Sequence, residues 1–192
     1  SEVMATLVLP QMLAHFAIEE PAIEIELVGT NTLDNLLRRD ADIAIRMVNP
    51  SQEELVARKI ADIPVVMCAH QDYLARRGMP QTPNDLFAHD LIGQDRADDF
   101  IRGFRAFGAS HVDRHTFRFR SDNQVIIWQA IKAGVGVGIA QLPLVRLEPD
   151  LQTFLLDLPL PVLPMWLTMH KDVRNAPRIR RTADFLYSEL SA

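Results

Sequence analysis

The hydrophobic period of this chain switches repeatedly between that of a helix and that of a strand, and no other feature restricts the fold as much. Leu9, Leu13 and Phe16 stand at i, i+4 and i+7, which predicts an amphipathic helix to about Glu19, kinked or split in two by Pro10. Ile23-Glu24-Ile25-Glu26-Leu27 alternates as a half-buried strand. Leu33, Leu36 and Leu37 predict a short helix capped by Asn31 or Thr32, and Asp42-Ile43-Ala44-Ile45 a short buried strand ending at Arg46. The same grammar then returns, with strands expected at 63–69, 91–92, 117–120, 135–140, 151–158 and 165–170. Between them, Thr82-Pro83-Asn84-Asp85 is a helix start: a Thr cap, Pro at the first position and an acid two residues on. Ser121-Asp122-Asn123 opens a helix with Asp122 read as its cap, Val125, Ile126, Trp128, Ala130 and Ile131 as its apolar face, and Gly134 as its stop. A short helix is expected at 143–147, and a last one opens at Pro177 with Ile179, Ala183, Leu186 and Leu190 on one face. Seven or eight strands alternating with helices argue for an α/β fold with largely parallel sheets. No Pro/Gly/Ser linker divides the 192 residues, so two α/β lobes joined by continuous strands fit the pattern. In such folds ligands sit in the crevice at the C-terminal ends of strands.

Composition removes several classes of function. Hydrophobic residues make up 48% and charged residues 23%, so the chain is not a disordered one. No apolar run reaches the roughly 18–20 residues of a membrane span; the longest, around 130–145, is broken by Lys132, Gln141 and glycines. Ser1-Glu2-Val3-Met4 has no basic region of a signal peptide and no initiator Met, which leads us to expect a piece of a longer protein. The single Cys68 excludes an internal disulfide and a cysteine-cluster zinc site. A formal charge of −5, from 20 Lys+Arg against 25 Asp+Glu, argues against this segment gripping DNA or an anionic membrane by itself.

No catalytic constellation emerges, and no cofactor or metal is expected. Gly136 and Gly138 suggest close approach of two backbones rather than a phosphate loop, because no Gly-x-Gly-x-x-Gly or Gly-Lys-Ser/Thr is present. There is no Gly-x-Ser-x-Gly elbow. His111 and His115 are four apart but have no third ligand, and Asp113-Arg114 between them reads as a solvated loop. Cys68, in Val65-Val66-Met67-Cys68, reads as a small core residue, and Asp98-Asp99 as solvated loop charge. The remaining polar positions suit binding. Ser1 and Glu2 stand before the first helix, where free N–H groups and a hydroxyl suit a carboxylate, although plain capping is the simpler reading. Thr30 and Asn31 follow a strand and open a helix. Arg46 ends a strand and can hold a carboxylate bidentately, or pair with a local acid. Gln94, Asn123 and Gln141 likewise lie at strand ends. Arg178, Arg180 and Arg181 read as the wet face of the last helix, with a subunit contact or a contact at the chain's own cleft as alternatives.

Five stretches, in order, carry a family resemblance: Leu9-Pro10-Gln11-Met12-Leu13-Ala14-His15-Phe16; Leu36 through Asp42-Ile43-Ala44-Ile45-Arg46; Thr82-Pro83-Asn84-Asp85-Leu86-Phe87 through Ile92; Ser121-Asp122-Asn123 through Gly134-Val135-Gly136-Val137-Gly138 to Pro143; and Pro164-Met165-Trp166-Leu167-Thr168-Met169-His170 with the closing helix. Together they cover nearly the whole chain, and it resembles the effector-binding domain of LysR-type transcriptional regulators. The resemblance implies a type 2 periplasmic-binding-protein-like fold: two Rossmann-like α/β lobes joined by two crossover strands. Lobe I would be 1–66 plus 170–192 and lobe II 67–169, with crossovers at 65–69 and 166–170. It implies a small polar or carboxylate effector between the lobes, contacted by Ser1, Glu2, Thr30, Asn31, Arg46, Gln94, Asn123 and Gln141, with Ser1 in the place of the family's effector-contacting Ser/Thr. The family often lacks a basic residue at the place of Arg46, so the effector's charge stays open. It implies a homodimer, made by the first helix (Leu7, Val8, Met12) and the 23–27 strand against lobe II of a second copy, and a tetramer in the full-length protein. DNA would be bound only through an N-terminal helix-turn-helix domain, absent from this chain with its linker helix and a strand before Ser1. A cytoplasmic, non-enzymatic protein with no membrane partner is expected; the alternative is an exported solute-binding protein of the same fold.

Overall fold

The computed structural model describes residues 1–31, 41–50, 54–106 and 108–191. The helix expected on Leu33, Leu36 and Leu37, with Thr32 as its alternative cap, lies outside the described residues. The chain forms two compact units, Ser1–Asp62 with Leu163–Ala192, and Ile63–Val162. It passes from one to the other inside strands, β2 (Leu55–His70) on the way out and β7 (Val162–His170) on the way back.

In the first unit, Pro10 neither splits nor ends the opening helix. The turn over Met4–Val8 is widened to a π-helix, in which the Leu9 N–H reaches the Met4 carbonyl, and α1 (Leu9–Glu19) continues from it. A proline ring clashes with the carbonyl four residues back and offers no N–H of its own. The wider turn immediately upstream relieves both problems. Val3, Met4, Leu9 and Phe16 are buried on one face. The closing helix α6 (Pro177–Ser191) buries Ile179, Thr182, Ala183, Phe185 and Leu186. The rings of Phe16 and Phe185 meet at 4.7 Å, and Arg181 forks across the end of α1 to Glu20 (2.6 Å) and Glu19 (2.9 Å). Strand β1 (Ile43–Arg46) pairs antiparallel with β7, placing Ile45 opposite Leu167 and Arg46 opposite Trp166.

The expected strand at 23–27 is not formed among the described residues. Ile25 and Leu27 are 43% and 40% exposed, and Glu24 and Glu26 are exposed beside them. Period-2 alternation produces a half-buried strand only where a neighbouring ladder supplies the buried side.

In the second unit, the core is built from Met67, Ala69, Tyr73, Leu74, Leu86, Leu91, Val112, Phe117, Val137 and Phe154. The end of β2 pairs antiparallel with β5 (Gly138–Gln141) on one side and β6 (Leu151–Phe154) on the other. β3 (Leu91–Gly93) runs parallel to β4 (Phe117–Arg120), and Leu91 makes a parallel bridge to Val137. The expectation of largely parallel sheets is therefore corrected. The strands that carry the chain between units, β2 and β7, enter antiparallel ladders with β5, β6 and β1, and among the described residues the parallel pair β3–β4 is one returned by an intervening helix.

Helices fill the intervals: α2 (Gln71–Arg77), α3 (Asp99–Ala106), α4 (Gln124–Lys132) and α5 (Leu142–Val145). The Thr82 start opens a 3-10 turn over Pro83–Ala88, in which Asp85 accepts from the Thr82 N–H at 2.8 Å. The segment expected as solvated loop at Asp98-Asp99 begins α3, and both acids pair with Arg102 one turn later. The buried face of α4 is Ile127, Trp128, Ala130 and Ile131, whereas Ile126 is 49% exposed. The strand expected to reach 158 stops at Phe154, because Leu155 turns to φ +51°.

Candidate functional site

In the first unit a cluster of polar contacts gathers at the C-terminal end of β1. The Ser1 nitrogen donates to the Ile45 carbonyl at 3.3 Å. The Glu2 N–H donates to Asn31 Oδ1, and Asn31 Nδ2 donates back to Glu2 Oε2, both at 3.1 Å. A side chain on Gly29 would put its Cβ 3.3 Å from that of Ala5, so the small residue lets this turn lie close against the first helix. Ser1, Glu2 and Asn31 are thus brought together, with Thr30 adjacent in the chain. Arg46 follows Ile45 directly and is only 9% exposed. Burial lowers its pKa from the usual guanidinium value, yet a guanidinium stays charged.

The β1–β7 pairing explains how a charged group comes to be buried there. Residues directly opposite in an antiparallel pair share a face. One face carries Ile43, Ile45, Leu167 and Met169; the other carries Ala44, Arg46, Trp166 and Thr168. Thr168 is fully buried and donates its hydroxyl to the Ala44 carbonyl at 3.2 Å. Trp166 Nε1 is buried and has no hydrogen-bond partner. Trp166 was not singled out by sequence reading; its place in an alternating strand was the only available signal, and its position opposite Arg46 comes from the register.

In the second unit, the strands run parallel at Leu91, Phe117 and Val137, so the segments after β3 and β4 and the end of β5 emerge in one direction. Gln94, 9% exposed, accepts the Phe100 N–H at 3.2 Å. Asn123, not Asp122, caps α4: its Oδ1 accepts from Val125 (2.9 Å) and Ile126 (3.0 Å). Asp122 instead gathers the Asp95, Arg96 and Ala97 N–H groups at 3.0, 2.9 and 3.2 Å. These donors pull its carboxyl down to about 2. Ser121 N–H donates to Gly93 O at 3.0 Å, and Asp95 holds Arg114 at 2.8 Å and Arg120 at 3.3 Å. Gln141 is the last residue of β5, opposite Val65.

Other candidates are structural. Cys68 has no exposed surface, and burial pushes its thiol up to about 12, against any role as nucleophile. His111 sits edge-on to Phe87 at 4.5 Å, and among the described residues no group of three or more His, Cys, Asp or Glu is placed to hold a metal. An open groove of about 680 Å³ lies along 79–83 and 153–159 of the second unit, and none of the expected ligand residues lines it. No helix among the described residues is long and apolar enough to cross a membrane.

Known proteins resemble this chain along nearly its whole length. The family model described as LysR substrate binding domain matches residues 1–191. The HTH-type transcriptional activator AaeR of Escherichia coli K12 is 27% identical over 162 residues, covering 84% of this chain and 52% of its own length. The chain therefore spans about half the length of the curated relatives it matches. The regulatory domain of CrgA, a LysR-type transcriptional regulator from Neisseria meningitidis, superposes with a TM-score of 0.83 at 24% identity, covering 97% of this chain and 94% of that one. The AmpR effector-binding domain from Citrobacter freundii gives 0.75 at 20% identity, with 97% and 93% covered. These likenesses show the periplasmic-binding-protein-like fold.

Proposed function

The chain belongs to the LysR substrate-binding domain family, the effector-binding part of transcriptional regulators that are not enzymes, and from that premise we propose that it senses a small polar or carboxylate metabolite. The observation that carries this reading is the buried Arg46 at the end of β1, beside the Ser1–Ile45 and Glu2–Asn31 contacts. Ser1, Glu2, Thr30, Asn31 and Arg46 are the proposed contacts from the first unit, and Gln94, Asn123 and Gln141 those from the second. Of these, Asn123 already spends its carbonyl oxygen as a helix cap, which leaves its amide nitrogen as the group to offer. The sensed molecule acts only by binding one state of the regulator better than another.

The whole protein, in this reading, is a cytoplasmic DNA-binding regulator whose DNA contacts lie outside this chain. The matched relatives are HTH-type regulators, which favours it over an exported solute-binding protein. Self-association would use the first helix, where Leu7, Val8 and Met12 are half-buried and Ile18 is 80% exposed. Sedimentation showing only monomer at high concentration would count against that interface.

The test of sensing is a thermal-shift screen against small carboxylates. A ligand at a hundredfold excess over Kd raises stability by ~2.7 kcal/mol. A concentration-dependent shift within one chemical series is expected. Arg46→Ala should weaken binding of that series by about 1.5–3 kcal/mol, the worth of a hydrogen bond to a charged group. Unchanged affinity in that variant would remove Arg46 from the site, and no shift with any carboxylate would overturn the reading.

A further inference from the structure

We propose that the Tyr73–His89 pair is an acid-released latch in the second unit, closed while His89 is neutral and opened when it takes a proton. The latch is independent of the effector proposed above. Tyr73 lies in α2, and its phenol oxygen accepts the Asp90 N–H at 2.8 Å and stands 3.2 Å from His89 Nδ1. These contacts tie α2 to the segment that enters β3. Asp90 in turn holds two more segments: its carbonyl accepts the Val137 N–H at 2.9 Å, and its carboxylate meets Arg118 of β4 at 2.9 Å.

Counting hydrogens gives the direction of the Tyr73–His89 bond. A phenol has one hydrogen, and a buried polar hydrogen is almost always spent on an acceptor. The Asp90 contact uses the phenol oxygen as acceptor, so the hydrogen goes to His89 Nδ1. That nitrogen then carries no hydrogen of its own, and the ring is the neutral form with its proton on Nε2. Protonation would place a second hydrogen on a line the phenol hydrogen already occupies. One of the two must turn away, and the bond as it stands is lost. Burial is the largest influence on His89 and, together with Arg77 of α2, opposes the proton, while Asp90 and Asp85 favour it. Both acids are already engaged, Asp85 by the Gln81 and Thr82 N–H groups and Asp90 by Arg118. Arg77 is fixed on the Ala88 carbonyl at 2.7 Å. The balance holds His89 below the usual histidine value. With the folded value below the unfolded one, the latch's stability is complete above about pH 6.5 and is lost as pH falls through the His89 midpoint.

The test reads the ring nitrogens of the wild-type chain, so it needs no variant to fold. Nitrogen-15 ring spectra are followed from about pH 8 to about pH 5, the range in which histidine charges; the six histidines are told apart by through-bond correlation to their backbone signals. His89 should show the Nε2–H form at the start and a midpoint below about 6.5. Across that midpoint the hydrogen-exchange protection of the Asp90 amide should fall roughly three- to tenfold, the size of one net hydrogen bond. Tyr73→Phe should move the His89 midpoint upward, because the neutral ring loses its donor. An Nδ1–H form at neutral pH, or a midpoint at or above the ordinary value, would overturn the latch. So would a His89 that titrates as expected while protection at Asp90 stays unchanged.

Discussion

Replacing Gly136 by alanine tests the packing of the second unit more sharply than any core truncation. A Cβ built there lies 1.9 Å from the Asp90 carbonyl oxygen, 3.0 Å from its carbon and 3.3 Å from the Asp90 Cβ. The first two are backbone atoms, so no side-chain rotation relieves the contact. The two segments are also tied together, Val137 N–H to Asp90 O at 2.9 Å and Ile92 N–H to Val137 O at 2.8 Å. Ordinary contact begins near 3.4 Å, so the segments would have to part by about 1.5 Å, which breaks both bonds. Two buried backbone bonds are worth about 1 kcal/mol each net, and overpacking adds about 1–3 kcal/mol. The expected loss is about 3–5 kcal/mol, or a fall in Tm of roughly 6–20 °C for a chain of this length. Gly136 is not among the glycines with positive φ, so the cost is steric and not conformational. Gly103 supplies the control: it lies inside α3 with nothing within 4 Å of its Cβ position. Gly103→Ala should be neutral or stabilising by up to about 1 kcal/mol, the usual gain of alanine over glycine in a helix. Urea unfolding at constant m-value reads both variants. A Gly136→Ala protein within about 0.5 kcal/mol of wild type, the range of an ordinary surface change, would refute the reasoning.

Asp122 titrates near 2, below the ordinary carboxylate value, so its contribution to stability is complete above about pH 4 and is lost as pH falls toward 2. Asp122→Asn should flatten that part of the stability profile, and a carboxyl-carbon NMR titration with a midpoint near 4 would contradict the assignment. Cys68 should resist Ellman's reagent in the native chain and react at once in denaturant; fast reaction of the folded protein would show that the thiol is not enclosed. Tyr73, 2% exposed, accepts the Asp90 N–H at 2.8 Å and meets His89 Nδ1 at 3.2 Å. Tyr73→Phe leaves that amide without its acceptor, so denaturant melts should show a loss of about 1–3 kcal/mol; a neutral result would mean that water replaces the phenol.

The sequence made most of this architecture readable wherever one short-range cause decided the outcome. The Thr82–Asp85 start, the Gly136 close approach and the burial of Cys68 each depend on a residue type with few alternatives. Misreadings arose where a second segment decided. The 23–27 alternation is sound, but a strand needs a neighbouring ladder, and the period of one segment says nothing about that. Asp122 and Asn123 are both good caps; which of them serves α4 is settled by the 95–97 loop, whose three N–H groups claim the aspartate. Helix α3 was missed because Gly103 and the Asp98-Asp99 pair look like loop chemistry, while Phe100, Ile101 and Phe104 pack against the core.

The same distinction governs the site. Each of its polar residues was legible as a strand-end or helix-start residue, because those positions expose backbone groups whatever the tertiary fold. What pairs with what was not legible, since it depends on register. A shift of one residue in the β1–β7 ladder would take Trp166 off the face of Arg46 and put a core side chain in its place. Register is held by the apolar face: Ile45 and Leu167, 8% and 3% exposed, must stay opposite each other to remain buried. The core residues thereby set which side chains stand opposite each other on the reverse face, Arg46 and Trp166 among them. Ile45 or Leu167 replaced by a polar residue should disturb recognition as well as stability, although neither stands on the face that carries Arg46 and Trp166.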